Sequence, residues 1–147
     1  MRQELEEKLT QKYPNLFRGR NLSIRENLMP FGCEHGDGWY KILNNMCRSL
    51  QKQLDKDKDK GSDEFMFTQI KEKYGTLRVY TNGYNEDISK IIGKATKKSC
   101  TTCEDCGDKG RRRNDGWLYT RCDKCWRAMK KASRDYRKKV EAEIGKK

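Results

Sequence analysis

Four cysteines are spaced as two CxxC pairs. Cys103 and Cys106 form the first pair, and Cys122 and Cys125 form the second, with 15 residues between the pairs. Two residues between ligands allow a tight turn to direct both sulfurs at one ion, and the separation of the pairs is typical of four-cysteine zinc sites. Four thiolates complete a tetrahedron and leave no open position for water or substrate. We therefore predict one structural Zn²⁺ and not a catalytic ion.

A redox CxxC motif is the alternative, but two correctly spaced pairs favour metal binding. Cys100 stands three residues before Cys103 and could compete as a ligand. Cys106 makes the better metal-binding turn because Gly107 follows it and supplies a permissive backbone. We therefore expect Cys100 to be a spare thiol.

Cys33, His35 and Cys47 lie close enough in sequence to suggest a second site. Cys33-x-His35 is not a usual zinc spacing, and no fourth ligand stands nearby in the sequence. A Cys33 or Cys47 nucleophile with His35 as its base is a second chemical possibility. Free cysteines are commonly small buried apolar residues, so we expect these side chains to pack in the core.

The segments around the two CxxC pairs predict a small metal-stabilised fold. Residues 111–120 contain the turn signal Asn114-Asp115-Gly116, which favours a β-hairpin. Residues 126–144 lack Pro and Gly and predict a helix, with Trp126 packed on the hairpin. The order of turn, hairpin and helix resembles the treble-clef zinc fingers, which include GATA-like fingers. Treble clefs bind DNA, RNA, proteins and ligands, so this resemblance implies the metal and the fold only.

Positive charge is concentrated in this finger. Residues 107–147 hold eight lysines and seven arginines against six acidic residues, which is +9 of the formal net charge of +12. Basic residues in the hairpin and at spacings of three and four along the helix predict a stripe that contacts nucleic-acid phosphates. These residues are Arg111, Arg112, Arg113, Arg121, Arg127, Lys130, Lys131, Arg134, Arg137 and Lys138. A merely solvated helix is the alternative. Trp117, Tyr119, Trp126 and Tyr136 supply ring faces either for bases or for packing.

The residues before the finger predict helices and a hairpin. Apolar residues recur every three or four positions between residues 36 and 54, which indicates a helix with one buried stripe, and Asp37 is placed to cap it. Residues 65–81 predict a β-hairpin with a break at 71–75. Asn85 can cap a further helix with an apolar face that extends to Ala95. A shorter N-terminal helix is expected to end at Pro14.

The predicted architecture is α+β. An amphipathic helix packs on a small antiparallel sheet, and a treble-clef zinc finger with four cysteine ligands and a long basic C-terminal helix follows. The first region comprises residues 1–98, with a charged solvated loop at 55–64, and the finger comprises residues 99–147.

Composition excludes several classes of protein. The chain has 147 residues, of which 33% are hydrophobic and 38% charged, so a large multidomain enzyme is excluded. The sequence contains no apolar run long enough to span a membrane. Its first residues lack the apolar block of a signal peptide, so we expect a cytosolic, reducing compartment and no disulfides. GxxxxGK[ST], GxGxxG, GxSxG and HExxH motifs are absent from the sequence, and we expect a non-enzymatic binding protein.

Three stretches together resemble a group of small proteins encoded by tailed bacteriophages. They are CEHGDGWYKILNNMC at residues 33–47, IKEKYGTLRVY at residues 70–80, and the two CxxC pairs with GWLYTRC before the second. In that group a GDGW helix start, a KEK[FY]GTLR hairpin and a terminal zinc knuckle occur in this order. The match covers residues 17–125, with Tyr74 where Phe is usual. The resemblance implies a phage product that acts in the cytoplasm of the bacterial host.

Small phage proteins outside the structural modules also disarm host defences, which gives an alternative function. Such a protein could bind a host immune protein or sequester a cyclic nucleotide signal in a basic, aromatic-lined pocket. The candidate lining residues are Arg78, Tyr80, Lys71, Lys73, His35 and Trp39. The simpler interpretation is that Arg78 and Tyr80 form the outward face of a half-buried strand.

Overall fold

Two short helices meet at Pro14. The computed structural model describes residues 1–57, 64–83 and 85–145. Helix α1 spans Gln3–Lys12, and helix α2 spans Pro14–Phe17 with the proline in its first turn. The fixed φ of proline suits that position, and its ring cannot continue α1. Leu9 and Leu16 are buried, and the predicted end of the first helix is confirmed.

A buried carboxylate attaches α1 to the first strand, β1 (Cys33–Glu34). Glu6 Oε2 accepts a hydrogen bond from the backbone N of Cys33 at 3.0 Å. Arg20 Nε lies 3.3 Å from Glu6 Oε1. A buried charge is tolerated when it is both paired and hydrogen-bonded, so these contacts fix α1 against the edge of the sheet.

Helix α3 (Tyr40–Lys56) contains the predicted apolar stripe and follows a single 3-10 turn over Asp37–Trp39. The stripe is buried throughout, at Trp39, Ile42, Leu43, Met46, Leu50 and Leu54. Asp37 does not cap the helix as predicted, because its carboxylate accepts hydrogen bonds from the backbone and side chain of Arg2. The charged loop predicted at 55–64 begins later than expected, since α3 extends to Lys56, and residues 58–63 lie outside the described residues.

Strands β2 (Phe67–Lys73) and β3 (Thr76–Thr81) form the predicted antiparallel hairpin. Only Tyr74 and Gly75 interrupt them, so β2 continues through most of the predicted break. Both turn residues have positive φ, 54° and 74°, as a tight two-residue hairpin turn requires. Strand β1 pairs with β2 in parallel, so the sheet is mixed, in the order β1-β2-β3, and not antiparallel throughout as predicted. A two-residue strand is too short to show a sequence pattern.

Helix α4 (Glu86–Ser99) covers the sheet and packs on α3. Asn85 Oδ1 accepts from the backbone N of Ile88 at 2.9 Å, so the predicted cap is confirmed. Ser99 Oγ accepts from Leu77 N, and Thr96 Oγ1 donates to Leu77 O, so two side chains satisfy the backbone at the edge of β3. Covering an edge strand in this way removes a site for unwanted strand pairing.

The finger consists of strands β4 (Arg111–Asn114) and β5 (Leu118–Arg121) and helix α5 (Asp123–Ile144). The strands pair antiparallel, as predicted. The helix begins three residues earlier than predicted because Cys122 serves as its N-cap. No residue of α5, which lies entirely within the described chain, is buried. The predicted α+β fold with a C-terminal cysteine cluster and a long final helix is confirmed. Within the described ranges, no helix has the length and apolar character needed to cross a bilayer.

Candidate metal centre and basic surface

The four cysteine sulfurs of the CxxC pairs come together at the base of the finger. The Sγ atoms of Cys103, Cys106, Cys122 and Cys125 all lie within 4.8 Å of one another. Those of Cys106 and Cys122 are 3.7 Å apart. Sulfurs in a tetrahedron with metal–sulfur bonds of about 2.3 Å are separated by about 3.8 Å. The donor set and its spacing therefore fit one metal ion.

Local backbone geometry brings each pair to the centre. In the first turn, Gly107 has a φ of +83° and its N donates to Cys103 O at 2.9 Å. This confirms the role predicted for Gly107, since few other residues adopt such a φ without strain. In the second turn, Cys122 Sγ accepts from Cys125 N at 3.4 Å, at the start of α5. A hydrogen bond therefore shapes the turn of each pair.

The ligand thiols differ in acidity. The hydrogen bond from Cys125 N is the main cause that lowers the pKa of Cys122 to about 7. Desolvation raises the pKa of Cys106 to about 11 and also raises that of Cys125. Because a metal binds thiolates, loading the centre releases protons.

The remaining cysteines and the histidine stay apart from this centre. Cys100 Sγ donates to Thr96 O at 3.4 Å, and Cys100 is not in the cluster. Cys33 and Cys47 are buried, and desolvation raises the pKa of each thiol. His35 is buried with its Nδ1 donating to Gly36 O, and burial lowers its pKa to about 4. Among the described residues these three form no metal-ligating group, and they pack as predicted.

The GDGW motif contacts the first metal-binding turn through hydrogen bonds. Gly38 N donates to Glu104 O at 2.7 Å, and Gly36 N donates to Glu104 Oε1 at 3.0 Å. Trp39 Nε1 donates to Thr102 O at 2.8 Å. Burial raises the pKa of Glu104, and the Gly36 amide opposes that shift. Three parts of this motif therefore position the backbone beside Cys103.

Two glycines lie where the N-terminal region and the finger approach each other closely. A Cβ on Gly38 would lie 2.1 Å from Cys103 O. At the β2–β3 turn, Gly75 O accepts from Thr120 Oγ1 at 2.6 Å, and Thr120 is itself buried. Glu104 N in turn donates to Thr120 O at 2.9 Å. The GDGW segment, the hairpin turn and the finger thus meet at one interface, which joins the predicted regions 1–98 and 99–147.

Four of the ten basic residues predicted to contact phosphate are held in ion pairs within the finger. Arg111 and Arg113 both contact Asp123, and the Arg113 side chain is only 11% exposed. Arg121 Nε lies 2.8 Å from Asp105 Oδ2.

Lys130 is the fourth, with its Nζ 2.5 Å from Asp115 Oδ2. Trp126 packs on the hairpin as predicted, 6.0 Å from the Tyr119 ring and beneath Arg113. The paired residues and rings hold the hairpin and helix together, and they are less available to a ligand than the sequence indicated.

The other six basic residues that were predicted to contact phosphate have no carboxylate partner among the described residues. They are Arg112, Arg127, Lys131, Arg134, Arg137 and Lys138. Five of the six belong to α5, the helix without a buried residue. At about 100° per residue, those five fall within an arc of roughly 120°. We call this arc, Arg127, Lys131, Arg134, Arg137 and Lys138, the basic face of α5.

The six residues predicted to line a nucleotide pocket do not share a surface. Lys71 and Tyr80 lie on the outer face of the hairpin, with the Lys71 Nζ 5.7 Å from the ring centre. Arg78 pairs with Lys71 in register, and Lys73 is exposed near the turn. His35 and Trp39, by contrast, are 5% and 0% exposed. His35 and Trp39 therefore offer no face to a ligand, whereas the other four residues lie on the outer face of the hairpin.

A groove between α3 and α4 was not predicted. Its volume is about 880 Å³, and none of the six residues above lines it. Its floor contains Ile42, Met46 and Ala95, and lysines stand around it. The helical spacing of Lys94 and Lys98 was the available signal, but the sequence does not show which helix faces α3.

Comparisons with known proteins add no relationship. No family model, curated protein or solved structure matches the chain. Function must therefore be inferred from the cysteine cluster and the basic surface themselves.

Proposed function

We propose that the chain is a non-enzymatic, zinc-stabilised protein that binds nucleic acid through the basic face of α5. The observation that carries this proposal is a run of cations without carboxylate partners in the described chain, all on one side of a helix with no buried residue. Cations that serve packing are paired internally, as Arg113 is with Asp123. In the basic face, Arg127 Nε donates to the backbone O of Asp123 at 3.3 Å, but no carboxylate neutralises its charge, so the face can attract an external polyanion.

Zinc is the metal that the centre fits best. Four thiolates with near-tetrahedral spacing suit zinc, and iron is the principal competitor for such a site. Bound metal would connect the first turn to the N-terminus of α5 and so fix the direction in which the helix leaves the body. Native mass spectrometry of protein purified without chelator should give one zinc per chain, and one iron would correct the identity without changing the site.

The length of α5 suits contact with several phosphates. Its 22 residues extend about 33 Å. Each neutralised phosphate releases counterions, so the logarithm of the binding constant should fall with the logarithm of salt concentration by about 0.9 per contact with duplex DNA and about 0.7 with single strands. Five cations on one face therefore predict steep salt dependence.

A charge-matched pair of variants tests the surface. The triple variant Lys131→Gln, Arg134→Gln and Lys138→Gln removes three cations of the basic face. The control Lys8→Gln, Arg48→Gln and Lys52→Gln removes the same charge from exposed positions on α1 and α3. Binding to a fluorescent oligonucleotide is measured by anisotropy between about 50 and 200 mM salt, a range over which phosphate contacts differ strongly in strength.

The expected result separates local contact from net charge. The basic-face variant should lose at least about tenfold in affinity and about two to three units of salt slope. The control should lose much less. Equal losses in the two variants would contradict a localised site and leave only non-specific attraction.

The proposed setting is the cytoplasm of a phage-infected bacterium, and its support is the sequence resemblance to tailed-phage proteins. The basic helix lies outside the stretch that carries the resemblance, so nucleic-acid binding is proposed for this chain and not for that group. A counter-defence role through a host immune protein stays a prediction. Sequestration of a nucleotide also stays a prediction, without His35 and Trp39 as lining residues because both are buried.

A further inference from the structure

Trp117 is the one tryptophan of the chain with more than half of its surface exposed. It follows the turn between β4 and β5 and is 53% exposed. The neighbouring rings Tyr119 and Trp126 pack on one another and are covered by arginines. Within the described chain, Trp117 makes no ring contact and no side-chain hydrogen bond. Just over half of the Trp117 surface is therefore accessible to a ligand.

The tip that carries Trp117 is held beside the basic face of α5. Asp115 Oδ2 pairs with Lys130 Nζ at 2.5 Å. Asp115 N also donates to Trp117 O at 3.1 Å, which closes the turn around Gly116. Lys130 falls inside the arc that contains the basic face when α5 is projected at about 100° per residue. One ion pair thus ties the turn that carries this exposed ring to the side of α5 on which the basic face lies.

We propose that Trp117 stacks on an unpaired base while the basic face of α5 holds neighbouring phosphates, which makes single-stranded nucleic acid the ligand class. This inference rests on the proposed function and specifies its substrate. A duplex buries the faces of its bases in the stack, whereas a single strand exposes them to aromatic side chains. A cationic surface alone fits either form, so it is the indole that favours the single strand.

Tyr136 offers a matched comparison. It is 71% exposed and belongs to α5. At about 100° per residue it projects roughly opposite the centre of the basic face. Removing this ring changes exposed aromatic surface by a similar amount without touching the proposed stacking site.

The experiment uses the full chain with its metal bound and compares the wild type with Trp117→Ala, Trp117→Phe and Tyr136→Ala. The probes are fluorescent oligomers of thymidine and of uridine of about 15 nucleotides, together with a duplex of the same length. Anisotropy gives affinity at several salt concentrations, and thermal unfolding confirms that each variant is folded.

Wild type should bind a single strand at least about tenfold more tightly than the duplex. Trp117→Ala should weaken single-strand binding by roughly tenfold, within the range for loss of one stacked base, and should change duplex binding little. The salt slope should stay constant because no phosphate contact is removed. Trp117→Phe should keep most of the affinity, and Tyr136→Ala all of it. The two oligomers distinguish DNA from RNA as the preferred strand.

Two contrary results have different meanings. Equal binding of single strand and duplex, with Trp117→Ala unchanged and the triple basic-face variant impaired, would overturn base stacking and leave nucleic-acid binding intact. An absence of salt-dependent binding to every probe would overturn the proposed function itself.

Discussion

Gly38 is the residue at which the smallest chemical change should have the largest structural effect. An added Cβ would meet backbone atoms of the metal-binding turn, at 2.1 Å from Cys103 O and 2.4 Å from Gly107 N. Backbone cannot rotate away as a side chain can. We expect Gly38→Ala to lower the free energy of unfolding by roughly 2–4 kcal/mol, measured by urea denaturation.

Gly93 provides the control for that substitution. It lies inside α4, and a Cβ there would meet nothing within 4 Å. Gly93→Ala should raise stability by about 0.5–1 kcal/mol, because alanine is the better helix former. If Gly38→Ala and Gly93→Ala were equally stable, the packing between the GDGW motif and the metal-binding turn would be looser than these contacts indicate.

His35 should make stability depend on pH. Burial lowers its pKa from 6.5 to about 4, so the unfolded chain takes up a proton in a range where the folded chain does not. The His35 contribution is therefore present above pH 6.5 and is lost progressively as the pH falls through the window towards 4. The full loss is roughly 3 kcal/mol.

Comparison with His35→Gln isolates this effect. Protonation of the metal-binding thiolates weakens both proteins alike, so the difference in unfolding free energy between them carries the imidazole contribution. That difference should change with pH between about 6.5 and 4. A difference that is constant with pH would show that the imidazole titrates normally in the folded chain.

Individual residues differ in how far their roles could be predicted. The CxxC spacing predicted the cluster because ligand geometry is local to a turn. Asp37 was wrong as a helix cap because Arg2, distant in sequence, binds its carboxylate. Arg113 resembled a phosphate contact, but its partner Asp123 lies across the finger. Pairings between distant residues leave no local pattern.

Among the elements, α5 differs most from the rest. Its first turns contribute to stability, and its distal half contributes to the proposed binding of nucleic acid. Its start carries Cys125 and the packed ring of Trp126, whereas residues 133–139 and 141–145 are exposed. Ending the chain after Ala132 should shift the melting temperature by less than about 4 °C, because little buried surface is removed. The same truncation should abolish most oligonucleotide binding by removing Arg134, Arg137 and Lys138.

A large fall in melting temperature would contradict this division of α5. It would mean that the distal half of the helix has a stabilising contact, such as one with a second copy of the chain. Light scattering of the full-length and truncated proteins serves as the control. The molecular mass per particle should differ only by the mass of the deleted residues.

The long amphipathic elements were predictable because burial repeats along them. The stripe of α3, the β2–β3 hairpin and the Asn85 cap of α4 all follow from periodicity or local turn chemistry. Strand β1 was not predictable, because two residues gain their strand character only from pairing with Ile70 and Lys71. Trp39 belongs to the predicted apolar stripe and is buried with it, so its assignment to the lining of a ligand pocket was wrong.

At the scale of the whole molecule, hydrogen bonds join the cysteine cluster to the N-terminal region. The GDGW segment, the Gly75 turn and the backbone around Cys103 share hydrogen bonds, so the finger completes the surroundings of Trp39 and Thr120. A chain with 33% hydrophobic residues has little other surface to bury. The two regions should therefore unfold together.

Removing the metal tests this coupling. We expect a strong chelator to lower the melting temperature of the N-terminal region as well as that of the finger, because metal binding contributes directly to folding. The variant Cys106→Ser removes an exposed candidate ligand and should have the same effect. Amide hydrogen exchange should show loss of protection in α3 and β3 along with β5. Cys100→Ser, outside the cluster, should leave both melting and exchange unchanged. Protection retained in α3 and β3 after chelation would instead show that the N-terminal region folds alone, and that the hydrogen bonds from Gly38 and Trp39 position the finger without depending on it.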